Sequence, residues 1–272
     1  MDLTATISAL LLLLLLGICN AHQGNDLSAD DEISAVQSAK EDISTVILRM
    51  NNGSRDFLLE GDLVIQKTRT AMKCRNKVYS CLWPKSANGN VEVPYIISHK
   101  YDNSERSAII QAMKDFERQT CIRFVPRRFE RAYLSIQSRF GCSSLLGRIG
   151  DRQMVSLQRF GCIDHSIIQH ELMHALGFYH EHTRSDRDHY VRINWENVPD
   201  YFKKNFNKQD TENLNIPYDY SSVMHYGRTA FGLYGAETIT PIPDESVPIG
   251  QREGLSKTDI LRLNVLYKCY RI

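Results

Sequence analysis

The hydrophobic and polar positions divide the chain into three parts. Residues 1–21 contain an unbroken apolar run, residues 22–69 are mostly polar, and residues 70–272 have the mixed pattern of a folded domain. The apolar run is too short to span a bilayer comfortably and is followed by small residues, which is the pattern of a secretory signal peptide cleaved after Ala21. An uncleaved membrane anchor is the alternative. Signal cleavage predicts a secreted, extracellular product without a membrane partner, and storage in secretory granules is a further expectation.

Short apolar runs in residues 70–272 predict strands that alternate with helices. The predicted strands cover residues 91–98, 121–125, 132–138 and 153–158. Apolar residues at helical spacing predict a helix over residues 103–119, capped by Asn103 or Ser104. One face of this helix is apolar and is expected to be buried: Ile109, Ala112, Met113 and Phe116.

The C-terminal third of the chain is predicted to be mostly irregular, because it is rich in turn-forming residues. Its last element is a helix over residues 256–269 that opens with a capping box from Ser256 to Asp259. This helix is expected to present an apolar face of Ile260, Leu263 and Tyr267. The whole pattern predicts the α+β class.

Charge is distributed unevenly between these parts. Residues 22–69 hold 9 Asp and Glu against 5 Lys and Arg, whereas residues 70–272 hold 28 Lys and Arg against 22 Asp and Glu. The acidic part therefore predicts a segment with its own role, and residues 22–55 within it are expected to pack poorly with some helical tendency. The mild positive charge of residues 70–272 indicates a solvated surface. No basic cluster with interleaved aromatic residues argues for a nucleic-acid partner.

Cysteine usage agrees with an extracellular location. The chain has seven cysteines, and loss of Cys19 with the signal peptide leaves six. An even number of cysteines in a secreted chain predicts three disulfides, and the sequence alone leaves their pairing open. Free thiols or zinc thiolates are the alternative, which the absence of any C-x-x-C spacing disfavours.

One stretch has a spacing that favours metal binding. His170 and His174 are four residues apart on a helix predicted to begin near Ser166, so they differ by only about 40° around its axis. Two neutral imidazoles placed in this way form a clamp for zinc. Glu171 lies beside the pair, where it can act as the general base for a water on the metal. The alternative is a helix with buried, hydrogen-bonded histidines.

A third histidine can join this metal only if the helix ends. On a continuous helix His180 would face away from His174. Gly177 stands between them, and glycine tolerates the positive φ that ends a helix and turns the chain. His180 then completes the three protein ligands of a single catalytic zinc with one position left for water. The other histidines are interpreted as surface or structural residues: His22, His99, His165, His182, His189 and His225.

The stretch from His170 to Glu181 resembles the zinc signature of the metzincins, and the glutamate directly after the third histidine resembles the astacin branch. The sequence SVMHYG at residues 222–227 resembles the Met-turn of the same group. This resemblance implies a two-lobed zincin catalytic domain over residues 70–272. It implies an N-terminal lobe with a twisted sheet and the active-site helix, and a mostly irregular C-terminal lobe with a terminal helix.

The resemblance also implies roles for individual residues. Met224 forms the apolar floor beneath the zinc ligands, for which ordinary core packing is the alternative. Tyr226 is a displaceable zinc ligand whose phenol stabilises the oxyanion, and Glu181 is a structural residue. The charged residues 182–188 are expected to form a structural, partly solvated cluster. The family pattern implies three disulfides: Cys74–Cys81, Cys121–Cys269 and Cys142–Cys162.

Astacin pro-segments carry a phenylalanine-x-glycine-aspartate switch, and the matching stretch here runs from Leu59 to Asp62. The resemblance implies that Asp62 occupies the position of the catalytic water on zinc until residues 22–69 are removed. Leucine replaces the phenylalanine, which predicts an apolar anchor that is weaker or shifted to Phe57. A plain turn at residues 60–62 is the alternative.

A basic site at the end of the acidic part fits tryptic cleavage between Arg69 and Thr70. Cleavage there would remove the switch together with a glycan on Asn52, which lies in the only glycosylation sequon. By resemblance, the new amino group of Thr70 would then reach Glu181.

These features imply a secreted zinc endopeptidase made as a zymogen. The start TAMKC, the stretch GQREG and residues 182–198 are similar to fish hatching enzymes and to six-cysteine relatives such as nephrosin. The expected substrates are egg-envelope glycoproteins digested at hatching by a monomer. A leukocyte or digestive extracellular protease is the alternative within this chemistry, and a catalytically silent binding protein is the alternative outside it.

Overall fold

A computed structural model describes residues 41–64 and 81–269 of the 272-residue chain. The predicted signal peptide, the predicted cleavage site and Cys74 lie outside these residues. The chain divides into two compact units, Met1–Glu41 and Asp42–Ile272, and every feature below lies in the second. In the part of the chain that is described, no helix combines the length and apolar character needed to cross a bilayer.

The larger sheet orders its strands β1-β2-β6-β7-β5-β3-β4. They are β1 (Leu58–Leu59), β2 (Leu63–Val64), β3 (Val91–Ile97), β4 (Ile122–Pro126), β5 (Tyr133–Gln137), β6 (Cys142–Ser144) and β7 (Arg152–Leu157). The strands β3, β4, β5 and β7 are parallel, β6 is antiparallel to β7, and β2 is parallel to β6. The four predicted strands match the parallel set. The β1–β2 hairpin and β6 were missed because runs of two or three residues carry no recognisable periodicity.

The described residues form four α-helices, and all four contribute buried side chains to the main apolar core. They are α1 (Ile43–Asn51), α2 (Asn103–Gln119), α3 (His165–Ala175) and α4 (Lys257–Leu266). The predicted apolar face of α2 is buried, but the predicted cap was wrong. Asp102 is the N-cap, accepting from the N–H groups of Ser104 and Glu105 at 2.9 and 3.0 Å. Its carboxylate accepts from two N–H groups of the first turn that have no partner within the helix, and its negative charge lies at the positive end of the helix dipole. Asn103 and Ser104 lie inside the helix.

Residues 22–55 are expected to pack poorly with some helical tendency, but within their described part helix α1 is well packed. Ile43, Val46 and Ile47 of this helix are buried in the main apolar core, at 1, 3 and 1% exposure. Their spacing of three and four positions places them on one face. The polar composition of the surrounding sequence concealed this short amphipathic segment. Residues 42–51 are therefore an integral part of the second compact unit.

The C-terminal part has little regular structure, as predicted. A two-stranded sheet joins β8 (Val191–Ile193) to β9 (Ile239–Pro241). The rest is turns and irregular chain that includes five short 3₁₀ helices: Glu181–Thr183, Arg187–His189, Trp195–Asn197, Asp200–Phe206 and Leu233–Gly235.

Helix α4 connects the end of the chain to the core. It begins with the predicted capping box, and Asp259 of that box also accepts from the Ser222 hydroxyl at 2.6 Å and the Val223 N–H at 2.9 Å. Leu263 and Tyr267 are buried, and Ile260 is half-buried. The cap of the last helix therefore also fixes the segment just before Met224.

Two of the three disulfides implied by the resemblance are present in the structure. Cys121 bonds to Cys269 across 148 residues and so ties β4 to the end of α4. Cys142 bonds to Cys162, linking β6 to the loop before α3. The third pair, Cys74–Cys81, includes a cysteine outside the described residues and stays a prediction.

Candidate metal centre

Helix α3 carries the first two histidines and has a well-defined start. Asp164 caps its N-terminus and accepts from the backbone N–H groups of Ser166 and Ile167 at 3.0 and 3.3 Å. A carboxylate in this position also meets the positive end of the helix dipole. His170 and His174 are both buried, and their ring centroids are 4.7 Å apart. The two imidazoles share one side of the helix, as their spacing predicts.

The chain reverses direction directly after α3. Gly177 has φ = +105°, and its N–H donates to the His174 carbonyl at 2.9 Å. Glycine adopts this φ without strain, whereas other residues do not. The reversal brings the ring centroid of His180 to 5.0 Å from that of His170 and 4.7 Å from that of His174. His180 thus faces the same point as the two helical histidines.

Gly177→Ala is expected to lower the free energy of unfolding by about 1–3 kcal/mol through backbone strain and to weaken zinc binding. Crowding is not the cause, because a Cβ at Gly177 would lie 3.5 Å from its nearest neighbour, an ordinary contact with Leu82. Gly150→Ala is the matched control, since Gly150 has φ = +85° in open space away from the histidines. Urea unfolding and zinc titration would check this. Equal losses of zinc affinity in both variants would contradict a specific role for the reversal.

The hydrogen bonds of the three rings fix which nitrogen faces the centre. Each Nδ1 lies within 2.8 Å of an oxygen acceptor, so each ring carries its proton on that side. The acceptors are the backbone carbonyl of Val223 for His170, the carbonyl of Phe178 for His174 and the carboxylate of Glu60 for His180. The Nε2 lone pairs then converge on one point. An outer layer of acceptors of this kind is typical of metal-ligating histidines.

A carboxylate from the hairpin completes the cluster. Asp62 Oδ2 lies 3.1 Å from His170 Nε2 and 3.2 Å from His180 Nε2, and its Oδ1 lies 3.4 Å from His174 Nε2. The four side chains are buried, and their ligand atoms all lie within 4.8 Å of one another. His174 Nε2 and Asp62 Oδ1 have no hydrogen-bond partner among the residues described. A buried imidazole nitrogen and carboxylate oxygen left without partners, beside two further imidazoles, fit a zinc ion, which takes imidazole nitrogen and carboxylate oxygen in a four-coordinate site.

The charges around this point favour a cation. Burial raises the pKa of Asp62, but His180 and His174 outweigh burial and hold that pKa well below its ordinary value. Burial lowers the pKa of His174 to about 4, which favours the neutral form that a ligand needs. Burial also lowers the pKa of His180, but Asp62 and Glu60 outweigh burial and raise it to about 9. The carboxylates therefore stabilise positive charge at the centre of the cluster.

Glu171 lies on the same helix and differs from every other glutamate in the described segments. Its side chain is 0% exposed, and neither carboxylate oxygen has a hydrogen-bond partner in the described structure. Burial raises its pKa well above the ordinary value, and the Asp62 charge raises it further. A buried carboxylate without partners is costly to the fold, so its presence indicates a chemical role. Proximity to the histidine cluster is what a general base would need.

The segment predicted to be a Met-turn lies directly beneath the histidines. Met224 is 1% exposed in the main core, and its carbonyl accepts from the Glu181 N–H at 2.9 Å. The preceding carbonyl, that of Val223, holds the His170 ring. Tyr226 is 2% exposed, with its ring centroid 4.6 Å from that of His180. Its hydroxyl donates to the backbone carbonyl of Glu60, so the hairpin engages it in this form.

The hairpin tip at residues 60–62 has an unusual backbone conformation. Glu60 and Gly61 have φ values of +52° and +86°. A Cβ on Gly61 would lie 2.4 Å from Leu48 and 3.0 Å from Phe231, so only glycine fits. Glu60 is 0% exposed and accepts from Gln209 Nε2 at 2.7 Å in addition to its contact with His180. The tip is therefore closely packed and hydrogen-bonded to its surroundings, unlike a plain surface turn.

The anchor of the hairpin differs from what the switch pattern suggests. Phe57 is 47% exposed, and the Lys204 ammonium lies 4.2 Å from its ring centroid. Leu59 is half-buried, whereas Leu63 is 1% exposed. Apolar anchoring therefore rests mainly on Leu63, on the strand after the tip, and neither Leu59 nor Phe57 is a buried anchor.

Asn51 supplies a second attachment that the sequence analysis missed. Its Nδ2 donates to the Gly61 and Cys142 carbonyls at 2.8 and 2.7 Å, and its Oδ1 accepts from the Cys142 N–H at 2.8 Å. This buried amide connects α1, the hairpin tip and β6. Asn52, the predicted glycosylation site, is exposed at the end of the same helix.

The Glu181 side chain is buried, and both of its carboxylate oxygens have hydrogen-bond partners in the uncleaved chain. Arg262 Nη2 lies 2.6 Å from its Oε1 and Arg262 Nη1 lies 2.5 Å from its Oε2, while the Asp219 N–H donates to Oε1 at 2.8 Å. Arg184 Nη1 adds a contact at 3.3 Å. Arg184 lies within the charged stretch 182–188, three residues after Glu181, whereas Arg262 was missed because it is 81 residues away on helix α4. The cluster at residues 182–188 is also less solvated than expected, since Arg184 and Arg187 are 6 and 4% exposed.

Five of the six remaining histidines lie in the described residues and divide as the sequence analysis expects, and His22 lies outside them. His99, His165 and His189 are exposed, and His182 and His225 are buried structural residues. Burial lowers the pKa of His225 to about 4 and that of His182 well below its ordinary value. Neither belongs to the cluster of ligand atoms.

Comparison with known proteins agrees with this geometry. Residues 80–268 match the family model described as Astacin, which is a peptidase family. The chain is 59% identical to the low choriolytic enzyme of Oryzias latipes over 99% of this chain and 100% of that protein. It is 53% identical to high choriolytic enzyme 1 of the same fish over 96% of this chain and 97% of that protein.

A solved structure of that second relative, described as a hatching enzyme zinc-protease, aligns with a TM-score of 0.70 at 57% identity. The alignment covers 74% of this chain and 100% of the solved chain. The family model matches more than half of the chain. The two relatives align with nearly all of it. The chain therefore belongs to the astacin family of zinc metalloendopeptidases.

Proposed function

We propose that the chain is the zymogen of a secreted hatching enzyme that digests egg-envelope glycoproteins. The observation that carries this proposal is the contact between Asp62 and all three histidines, at 3.1, 3.2 and 3.4 Å. A catalytic zinc needs an open position for its water, and a carboxylate inserted there prevents turnover. The domain boundaries are those of the sequence: a signal peptide over 1–21, a propeptide over 22–69 and a catalytic domain over 70–272.

The metal ligands are His170, His174 and His180. These three residues would hold a zinc ion, which would polarise the scissile carbonyl and lower the pKa of a water towards about 7. Glu171 would take a proton from that water, and the water oxygen would attack the carbonyl carbon. The same carboxylate gives the proton to the leaving amine as the C–N bond breaks. The burial of the Glu171 carboxylate without hydrogen-bond partners in the described structure supports this role.

Tyr226 is the proposed oxyanion stabiliser and displaceable ligand. Its hydroxyl donates to the Glu60 carbonyl in the hairpin-bound form, so it can already donate to a carbonyl oxygen at the edge of the cluster. Loss of the hairpin would release the hydroxyl for the substrate oxyanion. One such donor commonly contributes about 10²–10³ in kcat.

Activation follows from cleavage between Arg69 and Thr70. The cut would release the Asp62 switch and the glycan on Asn52 together. The solved relative, which aligns over its full length with 74% of this chain, supports a mature enzyme of about the size of residues 70–272. The new Thr70 amino group would join Glu181, where it would meet a carboxylate already bound by Arg262.

The substrate proposal rests on the relatives, whose names describe choriolytic enzymes. Protein substrates follow from the family. The finer proposal is that these substrates are egg-envelope glycoproteins and that the enzyme acts outside the cell as a monomer, after release from secretory granules.

The test uses the full chain, cleaved with trypsin and incubated with isolated fish egg envelopes and with casein. We expect both substrates to be digested, and a chelator to stop digestion until zinc is returned. Digestion of casein without digestion of the egg envelopes would contradict the hatching role and favour a leukocyte or digestive protease. Zinc binding without cleavage of either substrate would favour a silent binding protein. A mature N-terminus other than Thr70 would contradict the activation site.

A further inference from the structure

His182 contacts the proposed oxyanion stabiliser more closely than any other ring in the described segments. Its centroid lies 3.8 Å from that of Tyr226, with 28° between the ring planes. The other described rings around Tyr226 are more distant, at 4.6 Å for His180, 5.9 Å for Phe231 and 6.3 Å for Phe206. Among these four, only the His182 contact is a face-to-face stack. Offset or tilted stacking of this kind adds specific attraction to area burial.

The imidazole of His182 is itself held in place. It is 0% exposed, and its Nε2 lies 3.2 Å from the backbone carbonyl of Asn205. Phe206, the next residue, lies edge-on to His182 at 5.5 Å. The chain at residues 205–206 therefore fixes the histidine from one side, and the histidine supports the phenol of Tyr226 on the other.

The same stretch also touches the hairpin. The Asn205 side-chain oxygen accepts from the Glu60 N–H at 3.0 Å, and the Tyr226 hydroxyl donates to the Glu60 carbonyl. Removal of residues 22–69 takes both of these partners away. His182 lies in the catalytic domain and stays, so its stack on Tyr226 is the one face-to-face contact among the described rings that remains to orient the phenol.

We propose that His182 is a positioning residue for Tyr226, which holds the phenol ring so that its hydroxyl meets the substrate oxyanion after the propeptide leaves. The inference rests on the proposed oxyanion role of Tyr226. A hydroxyl displaced by about 1 Å loses most of its benefit, because misplacement on that scale costs up to about 10²-fold in rate. His182 does not belong to the cluster of ligand atoms, and its ring lies closer to that of Tyr226, at 3.8 Å, than to that of the ligand His180, at 5.7 Å, so its effect should reach the reaction mainly through Tyr226.

Two substitutions distinguish the contribution of ring stacking from that of the hydrogen bond to the Asn205 carbonyl. His182→Gln keeps a donor for the Asn205 carbonyl but removes the stack, and His182→Phe keeps a stacking ring but removes the donor. On the trypsin-cleaved chain, we expect His182→Gln to lower kcat about tenfold with KM changed less than about twofold. His182→Phe should recover most of that kcat. The melting temperature should show the reverse order, with the larger loss in His182→Phe because a buried carbonyl loses its donor.

The decisive measurement repeats His182→Gln in the Tyr226→Phe background. With the hydroxyl gone, the substitution should lower kcat less than about twofold further. An equal loss in both backgrounds, or kcat values that follow the melting temperatures, would overturn the positioning role and leave His182 a packing residue. An unchanged kcat in Tyr226→Phe alone would overturn the oxyanion role of Tyr226 and this inference with it. A loss in Tyr226→Phe with additive effects of His182→Gln would overturn only the inference.

Discussion

Glu171→Gln is expected to lower kcat/KM of the cleaved enzyme by about 10³-fold or more while zinc stays bound. Glutamine has the shape of glutamate but cannot take the proton of the attacking water. Zinc should remain, because the rings of His170 and His174 are oriented by the Val223 and Phe178 carbonyls, which stay after cleavage, and not by Glu171. Peptide hydrolysis and zinc content by mass spectrometry, on the same preparation, check both parts.

The stability of this variant gives a second, independent expectation. Glu171 is a buried carboxylate with no hydrogen-bond partner in the structure as described, so the fold bears a desolvation cost for it. Replacing it by a neutral amide should leave the melting temperature unchanged or raise it, as is common where activity and stability conflict. Glu92→Gln, on an exposed position of β3, is the control and should change neither quantity. Retained activity in Glu171→Gln, or activity lost only in proportion to zinc, would contradict the assignment.

Asp62→Ala is expected to give the uncleaved chain a proteolytic activity at least about tenfold above that of the uncleaved wild type. The carboxylate contacts three imidazoles in a buried site, and loss of one charged hydrogen-bonding partner is worth about 1.5–3 kcal/mol, or roughly 10- to 100-fold in the closed-to-open ratio. The hairpin would remain tied by Asn51 and Leu63, so activity should stay below that of the cleaved enzyme.

Asp56→Ala is the matched control for this variant. Asp56 lies in the same segment but is exposed and stands outside the cluster of ligand atoms. The uncleaved control should remain as inactive as the wild type. Both variants should reach the same activity after trypsin cleavage, since the cut removes either position. An uncleaved Asp62→Ala chain without activity, next to a fully active cleaved one, would contradict a blocking role for this carboxylate.

The parts that the sequence predicted are those carried by local spacing. His170 and His174 are four residues apart, Gly177 allows the turn, and the four parallel strands have clear apolar runs. The convergence of His180 follows from these because its partners lie within ten residues. The capping box at Ser256 is local in the same sense.

The parts that the sequence did not predict depend on distant pairs. Glu60 and His180 are 120 residues apart, and Glu181 and Arg262 are 81 apart. A buried ion pair leaves no periodic signal, because each member looks like a solvated surface charge until the other is known. Helix α1 is a different case. Its apolar spacing is present in the sequence, but the polar and acidic residues around it conceal so short a pattern.

Zinc content and peptidase activity, measured together on the cleaved chain, test most directly whether the buried histidines form one catalytic metal centre. We expect one zinc per chain, complete loss of activity on chelation and recovery on adding back one equivalent of zinc. His174→Ala, which removes the ligand with no hydrogen-bond partner on its Nε2 in the described structure, should lose both zinc and activity. Full activity in a chain without zinc, or one zinc per chain retained in His174→Ala, would contradict this assignment.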